Sequence, residues 1–431
     1  MALSIPELYE RFRECSGVST DTRKITENSL FVALKGATFD GNQFAAAALE
    51  KGAKYTLVDD PAVVQDSRFL LVGDALAALQ DLARHYRQQL TIPVIGLTGS
   101  NGKTTTKELI AAVLSKKYRT YATLGNLNNH IGVPLTLLAI DAACEMAVVE
   151  MGANHQGEIR LLSSIAQPTH GLITNVGKAH LEGFGGVAGV RKGKGELYDW
   201  LAHQHGTLFV HGTSTTLQEM RLERQFREVV HYLGENAYYQ AHLLQETPFI
   251  VYRDESGQEV QTHLSGHYNF DNIAAARCIG KYFGVSARDA NAAIADYNPT
   301  NNRSQVIRKG STTILLDAYN ANPSSMAAAV QHFTKLDAPR KVVILGDMFE
   351  LGEDSPAEHA ALGELVAQGH FDTVILAGKD MKHALPALPK AYYFPDKFSL
   401  HNWIADHDFS DTHVLIKGSR GIGLETVVPF I

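Results

Sequence analysis

The best candidate for chemistry in this sequence is the run T-G-S-N-G-K-T-T at residues 98–105. It lies between a predicted strand at residues 91–97 and a helix that we expect to begin near Lys103. Backbone N–H groups in such a turn point at a phosphate, and the positive end of the helix dipole adds to the attraction. The strict P-loop pattern fails because Leu97 stands where its first glycine belongs. The strand and helix still predict a nucleotide-phosphate site, with Lys103 as a mobile cation and the Thr104 hydroxyl as a ligand for Mg²⁺.

Two polar side chains follow later strands, where the edge of a sheet would collect them. Glu150 comes directly after the apolar residues 147–149, and His180 follows the strand predicted at residues 171–174. In open α/β sheets, ligands bind at the carboxyl ends of the strands. Glu150 is therefore a candidate to hold Mg²⁺ opposite the phosphates, although the same carboxylate could cap the next helix. A lone histidine such as His180 is more often structural than a ligand.

Three later runs leave the choice between chemistry and structure open. The turns D-A-Y-N-A-N-P at residues 317–323 and K-G-S-R at 417–420 each follow a predicted strand and could line the same cleft. Asn-Pro and Gly-Ser are also common in turns that bind nothing. The basic run R-K-G-K-G-E at residues 191–196 either contacts phosphate or forms a solvated face, and its spacing does not decide between them.

The elements that must position these residues form an α/β pattern. A capping box at Ser4 and Glu7 predicts the first helix. Apolar strands then alternate with helical stretches, which favours parallel sheets flanked by helices. The predicted strands lie at residues 30–34, 55–58, 91–97, 147–149, 171–174, 207–210, 313–316, 341–345, 373–376 and 413–416.

Chain length and boundary signals predict three domains. A chain of 431 residues exceeds what one hydrophobic core normally organises. A strand that begins after residue 90 and a turn-rich run at residues 297–302 mark the boundaries. We expect a small N-terminal α/β module at residues 1–90, a central P-loop ATPase-like domain at 91–298 and a C-terminal Rossmann-like domain at 299–431.

Composition and charge exclude several classes of protein. A net charge of −7 without a polybasic block argues against nucleic acid as a partner. No apolar run is long enough to span a membrane, and Glu7 and Glu10 interrupt the region where a signal peptide is apolar, so we expect a cytoplasmic protein. The three cysteines, Cys15, Cys144 and Cys278, support neither a disulfide framework nor a cysteine-rich zinc site.

Four motifs, taken in order, resemble those of the Mur ligase family. They are T-G-S-N-G-K-T-T at residues 98–105, V-V-E-M-G-A at 148–153, T-N-V-G-K-A-H at 174–180 and K-G-E-L-Y at 194–198. The family consists of ATP-dependent ligases that add amino acids or a dipeptide to the peptidoglycan precursor. The resemblance covers essentially the whole chain, and it implies an N-terminal domain for the UDP-substrate, a central ATP-binding domain and a C-terminal ligase domain.

Three motifs resemble the branch of this family that adds D-alanyl-D-alanine to UDP-N-acetylmuramoyl-tripeptide. They are G-N-L-N-N-H-I-G-V-P at residues 125–134, D-A-Y-N-A-N-P at 317–323 and L-G-D-M-F-E-L-G at 345–352. The resemblance implies these two substrates, ATP and Mg²⁺, and we expect a monomer that binds no nucleic acid and spans no membrane. The implied route is attack of the tripeptide carboxylate on the γ-phosphate of ATP to give an acyl phosphate, followed by attack of the dipeptide amine.

The resemblance also implies roles for individual residues. Glu150 and His180 would join Thr104 as metal ligands, and Lys194 is similar to the family lysine that reacts with CO₂ to form a carbamate, with Lys192 as the competing candidate. The catalytic residues would be Lys103, Glu150, His180 and Lys194. The residues near ATP would be Gly99, Ser100, Asn101, Gly102, Lys103, Thr104, Thr105, Asn272, Arg303, Asp317 and Asn320. The residues near the other substrates would be Thr22, Arg23, Asn128, Asn129, Lys417, Ser419 and Arg420.

Two alternatives stay open at this point. Another amino-acid-adding Mur ligase, or a folylpolyglutamate synthetase, would share the phosphate site but differ at residues 317–323 and in the first domain. A non-enzymatic nucleotide switch would bind ATP and move its domains without making a product, although the acidic, histidine and lysine positions after the phosphate loop argue against it. For the ligase we expect an open form without ligands, which closes and brings Arg303 to the reacting centre.

Overall fold

The N-terminal part is a small parallel sheet covered by helices. The computed structural model describes residues 3–431. The Ser4 N–H and hydroxyl both donate to the Glu7 carboxylate, at 2.8 and 2.6 Å, so the predicted capping box is confirmed. The helices are α1 (Ile5–Arg13), α2 (Ala45–Glu50) and α3 (Ala75–Gln89), and the strands, in spatial order, are β1 (Val18–Ser19), β2 (Leu30–Val32), β3 (Tyr55–Val58) and β4 (Phe69–Leu71).

The central part is built on a six-stranded sheet in which every neighbouring pair is parallel. Its strands are β5 (Val94–Thr98), β6 (Thr120–Ala122), β7 (Met146–Glu150), β8 (His170–Ile173), β9 (Thr207–His211) and β10 (Glu228–Tyr232). The spatial order is β10, β9, β8, β5, β7, β6. The helices are α4 (Lys103–Leu114), α5 (Gly132–Leu138), α6 (Glu158–Ala166), α7 (Leu181–Phe184), α8 (Val187–His203) and α9 (Thr215–Leu222).

A second, smaller sheet follows in the central part, and the sequence analysis does not predict it. Its three antiparallel strands are β11 (Ala241–Gln245), β12 (Val251–Asp254) and β13 (Glu259–Gln261). Polar and apolar residues are mixed along these short strands, so no continuous apolar run marks them. Two helices then complete this part of the chain, α10 (His267–Tyr282), which packs on α4, and α11 (Ala287–Asp296).

The C-terminal part is a second doubly wound sheet. Its strands are β14 (Gln305–Lys309), β15 (Thr312–Asp317), β16 (Lys341–Gly346), β17 (Thr373–Ala377), β18 (Tyr392–Phe394) and β19 (His413–Lys417). The spatial order is β14, β15, β19, β16, β17, β18, and only the edge pair of β14 and β15 is antiparallel. The helices are α12 (Pro323–Thr334), α13 (Ser355–Ala367) and α14 (Lys397–Ala405).

The register of the central sheet gathers the phosphate loop and later polar residues at one edge. Leu97 of β5 pairs with Glu150 of β7, and Thr98 pairs with Ile173 of β8. All five residues of β5 and all five of β7 are buried, as expected of parallel strands covered on both faces. The packed sheet therefore fixes the point at which the phosphate loop leaves β5 and the position of Glu150 at the end of β7.

Every predicted strand overlaps an observed strand, with differences of a few residues at the ends. The predicted boundary after residue 90 falls between α3 and β5, and the boundary after residue 298 falls between α11 and β14. The exact limits of the three domains stay predictions. Among residues 3–431, no helix combines the length and the apolar character that crossing a bilayer requires.

Candidate active site

A cleft opens where the carboxyl ends of the central strands face the C-terminal domain. Its cavity has a volume of about 580 Å³. The predicted site residues that line this cavity are Ser100, Asn101, Gly102, Lys103, Thr105, Asn128, Asn129, Glu150, His180, Asn272, Arg303, Asp317 and Asn320. The fold thus brings residues that are more than two hundred positions apart in the sequence to one place.

The lysine of the phosphate loop, Lys103, donates hydrogen bonds to backbone carbonyls of the same loop. Lys103 Nζ donates to the carbonyl oxygens of Gly99 at 2.7 Å and Ser100 at 3.2 Å. Gly102 adopts a φ of +78°, and a Cβ there would lie 2.7 Å from Asn272 Oδ1, so both conformation and space require glycine. Burial lowers the pKa of Lys103 to about 8, an effect that Glu150 opposes. A bound phosphate would replace the two carbonyls as the partner of this ammonium group.

Glu150 is a buried carboxylate with one oxygen left unpaired. Its Oε1 accepts hydrogen bonds from Thr104 Oγ1 at 3.2 Å and from Asn128 Nδ2 at 2.7 Å. Its Oε2 is buried and has no hydrogen-bond partner among residues 3–431. An unpaired carboxylate oxygen beside a threonine hydroxyl and a phosphate loop fits the oxygen ligands that Mg²⁺ takes. Asn128, which was predicted to contact substrate, here orients the carboxylate.

Protein side chains alone do not complete a metal site at this position. No group of three or more His, Cys, Asp and Glu side chains in the described part of the chain lies close enough together to hold an ion. Mg²⁺ commonly keeps several waters and binds through one or two carboxylates plus the phosphates of a substrate. A cation beside Glu150 would therefore depend on Thr104 and on nucleotide oxygens.

Lys194 is fully buried inside α8. Its Nζ donates to the Ala153 carbonyl at 3.1 Å and lies 5.0 Å from the centre of the Phe184 ring. Burial, and secondarily the charge of Lys103, lowers the pKa of Lys194 well below its ordinary value. A lower pKa favours the neutral amine, which is the form that reacts with CO₂. Lys192 is exposed and lacks this environment, so the structure favours Lys194 of the two candidates.

His180 meets a carboxylate from the other side of the cleft. Its Nδ1 contacts Glu350 Oε2, which belongs to the C-terminal domain. This hydrogen bond lowers the pKa of Glu350. Both residues adopt left-handed backbone conformations, with φ of +53° and +61°. Non-glycine residues adopt that conformation uncommonly, so both ends of this contact have a specified backbone geometry.

Two residues predicted to contact substrate lie beneath the cleft instead of lining it. Lys417 is 1% exposed, and its Nζ donates to Asp317 Oδ2 at 2.6 Å and to the Asn320 carbonyl at 3.2 Å. Ser419 is also buried, and its hydroxyl accepts a hydrogen bond from the Phe349 N–H at 3.0 Å. In this structure both residues hold the turn that follows β15 and its neighbours.

Four other predicted substrate residues are distributed more widely. Thr22 and Arg23 lie on a short turn of the N-terminal part, outside the cavity wall, and Arg23 pairs with Asp21 at 2.8 Å. Asn129 lines the cavity, and its Oδ1 accepts hydrogen bonds from the N–H groups of Ile131 and Gly132 at the start of α5. Arg420 is exposed at the rim, next to a tyrosine of the 317–323 turn.

The C-terminal domain is docked against the phosphate loop. The Lys178 N–H donates to Ser324 Oγ at 2.9 Å, and Lys178 Nζ lies 2.5 Å from Glu358 Oε1. Asn322 Nδ2 donates to Asn101 Oδ1 at 2.7 Å. This arrangement differs from the open form that we expect without ligands, and the expectation stays a prediction about the protein in solution.

Comparison with known proteins supplies the family. The family model described as "Mur ligase family, catalytic domain" matches residues 14–97, "Mur ligase middle domain" matches 97–280 and "Mur ligase, glutamate ligase domain" matches 302–420. The UDP-N-acetylmuramoyl-tripeptide--D-alanyl-D-alanine ligase of Escherichia coli (strain K12) is 37% identical over 425 residues, with 95% of this chain and 92% of the relative covered. This chain belongs to the Mur ligase family. The ligase of the same name from Bacillus subtilis (strain 168) is 36% identical, with 96% of this chain and 92% of the relative covered.

Solved Mur ligases share the whole fold. MurF from Acinetobacter baumannii matches with a TM-score of 0.85 at 31% identity, over 100% of this chain and 98% of that one. MurF ligase from Thermotoga maritima in complex with ADP matches with a TM-score of 0.83 at 26% identity, over 97% of both chains. The folylpolyglutamate synthase of Mycobacterium tuberculosis, at 16% identity and a TM-score of 0.62, shares the fold alone. The predicted three-domain α/β architecture is confirmed.

Several residues at the cleft of this Mur ligase have contacts that their sequence positions did not predict. Asn322 and Glu350 make the cross-domain contacts described above, and Tyr268 shares a hydrogen bond of 2.9 Å with Ser304 across the domain connection. Asn322 and Glu350 do fall inside the motifs at residues 317–323 and 345–352. These motif positions were the sequence signal that the two residues have a role. A motif does not show which residue of another domain is the partner.

Proposed function

We propose that this Mur ligase uses ATP to join D-alanyl-D-alanine to UDP-N-acetylmuramoyl-tripeptide. The observation that carries the proposal is the similarity to ligases of that name over 95% of the chain or more, at 36% and 37% identity. The cleft supports it because the phosphate loop and the buried Glu150 carboxylate line it together with Arg303 and Asn320 of the C-terminal domain. These substrates occur in the cytoplasm, where we place the protein, and we propose that it acts as a monomer.

The proposed reaction activates a poor acyl donor. One oxygen of the tripeptide carboxylate attacks the γ-phosphorus of ATP, and the bond to the β,γ-bridging oxygen breaks, which gives ADP and an acyl phosphate. The dipeptide amine then attacks the acyl carbon, the bond from that carbon to the phosphate oxygen breaks, and the amine loses a proton. Phosphoryl transfer of this kind depends mainly on positioning and on neutralising charge.

Residues from two domains would provide that positioning. Lys103 would leave the Gly99 and Ser100 carbonyls and bind the phosphates, together with N–H groups of the loop. Arg303 and Asn320 line the same cavity from the C-terminal side and would approach ATP there. The docked domain would also exclude water that could hydrolyse the acyl phosphate. The proposed ATP contacts are Gly99, Ser100, Asn101, Gly102, Lys103, Thr104, Thr105, Asn272, Arg303, Asp317 and Asn320.

Mg²⁺ is a further part of the proposal. Thr104 and Glu150 would hold it, since Glu150 Oε2 is a buried acceptor that lacks a partner in residues 3–431. His180 lines the same cavity, and its Nε2 would be the further protein ligand because its Nδ1 contacts Glu350. When bound, the ion would neutralise charge on the phosphoryl oxygens.

We also propose that Lys194 carries a carbamate. The neutral amine attacks the carbon of CO₂ and loses a proton, and the product is an anion. The burial that lowers the pKa of Lys194 supports this step because a charged ammonium does not react. A carbamate would turn a buried amine, which offers a cation nothing, into an anion.

The experiment that tests the function is phosphate release from ATP in the presence of UDP-N-acetylmuramoyl-tripeptide, with product mass measured in parallel. D-alanyl-D-alanine is compared with single amino acids as the amine. We expect phosphate release and a dipeptide mass increment with D-alanyl-D-alanine only. Release with a single amino acid would contradict the substrate and keep the family, and no release with any amine would favour the nucleotide switch.

A further inference from the structure

Tyr319 lies between two arginines at the wall of the cleft. Arg303 Cζ is 3.8 Å from the centre of the Tyr319 ring, and Arg420 Cζ is 5.1 Å from the same centre. Arg420 Nη1 also donates a hydrogen bond of 3.2 Å to the Tyr319 hydroxyl. Both distances are within the range in which an aromatic face attracts a cation. The ring therefore contacts one arginine through its face and the other through its face and its hydroxyl.

The backbone on either side of Arg303 is tightly constrained. Asn302 has a φ of +53° and Ser304 a φ of +49°, so left-handed residues flank the arginine on both sides. Such residues persist only where neighbouring structure holds them. Here the Tyr319 N–H donates to the Asn302 carbonyl at 3.2 Å, and the Ser304 N–H donates to Asp317 Oδ1 at 3.1 Å. The turn that contains Tyr319 thus fixes the main chain around Arg303.

The ring contact also determines where the Arg303 side chain lies. Arg303 Nε is buried and has no hydrogen-bond partner among residues 3–431. Because this buried N–H has no hydrogen bond to hold it, the position of the guanidinium depends on its contact with the Tyr319 ring. Arg303 and Tyr319 line the same cavity as Lys103. The guanidinium is therefore held toward the phosphate site before a nucleotide arrives.

We propose that Tyr319 is a positioning residue, which sets the Arg303 guanidinium for the charge that develops on the transferred phosphoryl group and ties it to Arg420. The proposal rests on the proposed function, because that function assigns Arg303 to the phosphates. A donor fixed in advance does not have to be ordered during the reaction, so its stabilisation of the transition state is larger. The Tyr319 hydroxyl accepts the hydrogen bond from Arg420, so the same side chain connects Arg303 to Arg420 at the rim of the cleft.

Substitutions at Tyr319 separate the ring face from the hydroxyl. Tyr319→Phe keeps the face, and we expect a kcat within about threefold of the wild type. Tyr319→Leu removes the face, and we expect kcat to fall about tenfold with the KM for ATP nearly unchanged. The melting temperatures of both variants check that they fold. Equal losses of kcat in the two variants would overturn the role of the ring face.

A double-mutant cycle tests whether Tyr319 acts through Arg303. We expect Arg303→Met to lower kcat about a hundredfold and Tyr319→Leu to add no further loss in that background. A second tenfold loss in the double variant would overturn the proposal. Binding of ADP with aluminium fluoride, an analogue that mimics the charge on the transferred phosphoryl group, to the same four proteins gives a separate readout. If the wild type released no phosphate with D-alanyl-D-alanine, the proposed function would fail. Non-additive analogue binding would still show that Tyr319 positions Arg303. Additive analogue binding would refute that positioning role.

Discussion

Asn322 of the C-terminal domain donates a hydrogen bond of 2.7 Å to Asn101 in the phosphate loop. The Asn322 Oδ1 at the same time accepts a hydrogen bond of 2.9 Å from the Ser325 N–H and caps α12. One side chain thus begins a helix of one domain and contacts the phosphate loop of another. The docked position of the C-terminal domain is therefore coupled to the conformation of that loop.

Replacing Asn322 with serine should separate these two roles. Serine is a good helix cap but is too short to reach Asn101. We expect Asn322→Ser to lower kcat/KM for ATP about tenfold, the equivalent of one hydrogen bond in a closed site, with little change in melting temperature. Steady-state kinetics and thermal unfolding measure the two effects. Asn322→Ala is the control, because it removes the cap as well and should lose about 1 kcal/mol of stability. Unchanged kinetics in Asn322→Ser would show that the contact with Asn101 has no part in turnover.

Removing Lys194 should abolish activity in a way that a small anion can repair. We expect Lys194→Ala to lower kcat by about a thousandfold or more, because the proposed carbamate charge is lost. A short carboxylic acid added to the variant should restore part of the activity by occupying the vacated space. Lys192→Ala is a matched control, since Lys192 lies two residues away in α8 and is exposed. Normal turnover in Lys194→Ala would remove this lysine from the mechanism.

Acid should weaken the protein partly through His332. This residue is 4% exposed, its Nε2 lies 2.5 Å from Ser265 Oγ of the central domain, and burial lowers its pKa to about 4, which Glu246 opposes and Lys335 reinforces. An unfolded histidine has a pKa of about 6.5, so the unfolded state binds more protons as pH falls from about 6.5 to about 4. His332 therefore stabilises the fold fully above this interval and loses that contribution within it.

His332→Gln should flatten this pH dependence. We expect the free energy of unfolding to change less between pH 6.5 and pH 4 than in the wild type, by up to about 3 kcal/mol. Denaturant unfolding at several pH values gives the slope. His203→Gln is the control, because His203 is exposed. An unaltered slope in His332→Gln would contradict a depressed pKa for His332.

The docked domains should separate in solution when no ligand is present. Hydrogen bonds and an ion pair join them near the cleft, and the Lys178 side chain in its pair with Glu358 is 50% exposed. Exposed ion pairs contribute roughly 0–1 kcal/mol each, too little to hold two domains. We expect small-angle scattering to give a larger radius of gyration without ligands than with an ATP analogue and the tripeptide substrate. Identical curves under the two conditions would count against opening.

The parts of the fold that could be predicted are those that leave a local signature. Strands β5, β7 and β16 are continuous apolar runs because helices cover both faces of their sheets, and the sequence shows them directly. The antiparallel sheet of β11 to β13 has solvent on one face, and its mixed polar pattern resembles loop sequence. The two kinds of strand differ in how many of their faces are exposed to solvent, and the pattern of apolar residues in the sequence reflects that difference.

The candidate site was predictable where a residue acts from its own strand end, and less so where it acts through a distant partner. Lys103 and Glu150 follow strands that the sequence identifies. Lys417 has the same kind of position, yet it pairs with Asp317, which is one hundred residues earlier in the chain. Asn128 likewise serves Glu150 instead of facing the cleft alone. Motif spacing gives no information about such long-range partners.

The hydrogen bonds from Lys103 to Gly99 and Ser100 satisfy its ammonium group within the phosphate loop. A nucleotide must displace both internal bonds before it gains the lysine, so a ligand with too few phosphate oxygens gains little by entering. After transfer, the return of Lys103 to Gly99 and Ser100 would compete with the departing ADP. These internal bonds would disfavour the entry of anions with few phosphate oxygens. They would also speed the exchange of ADP for ATP at the end of each cycle.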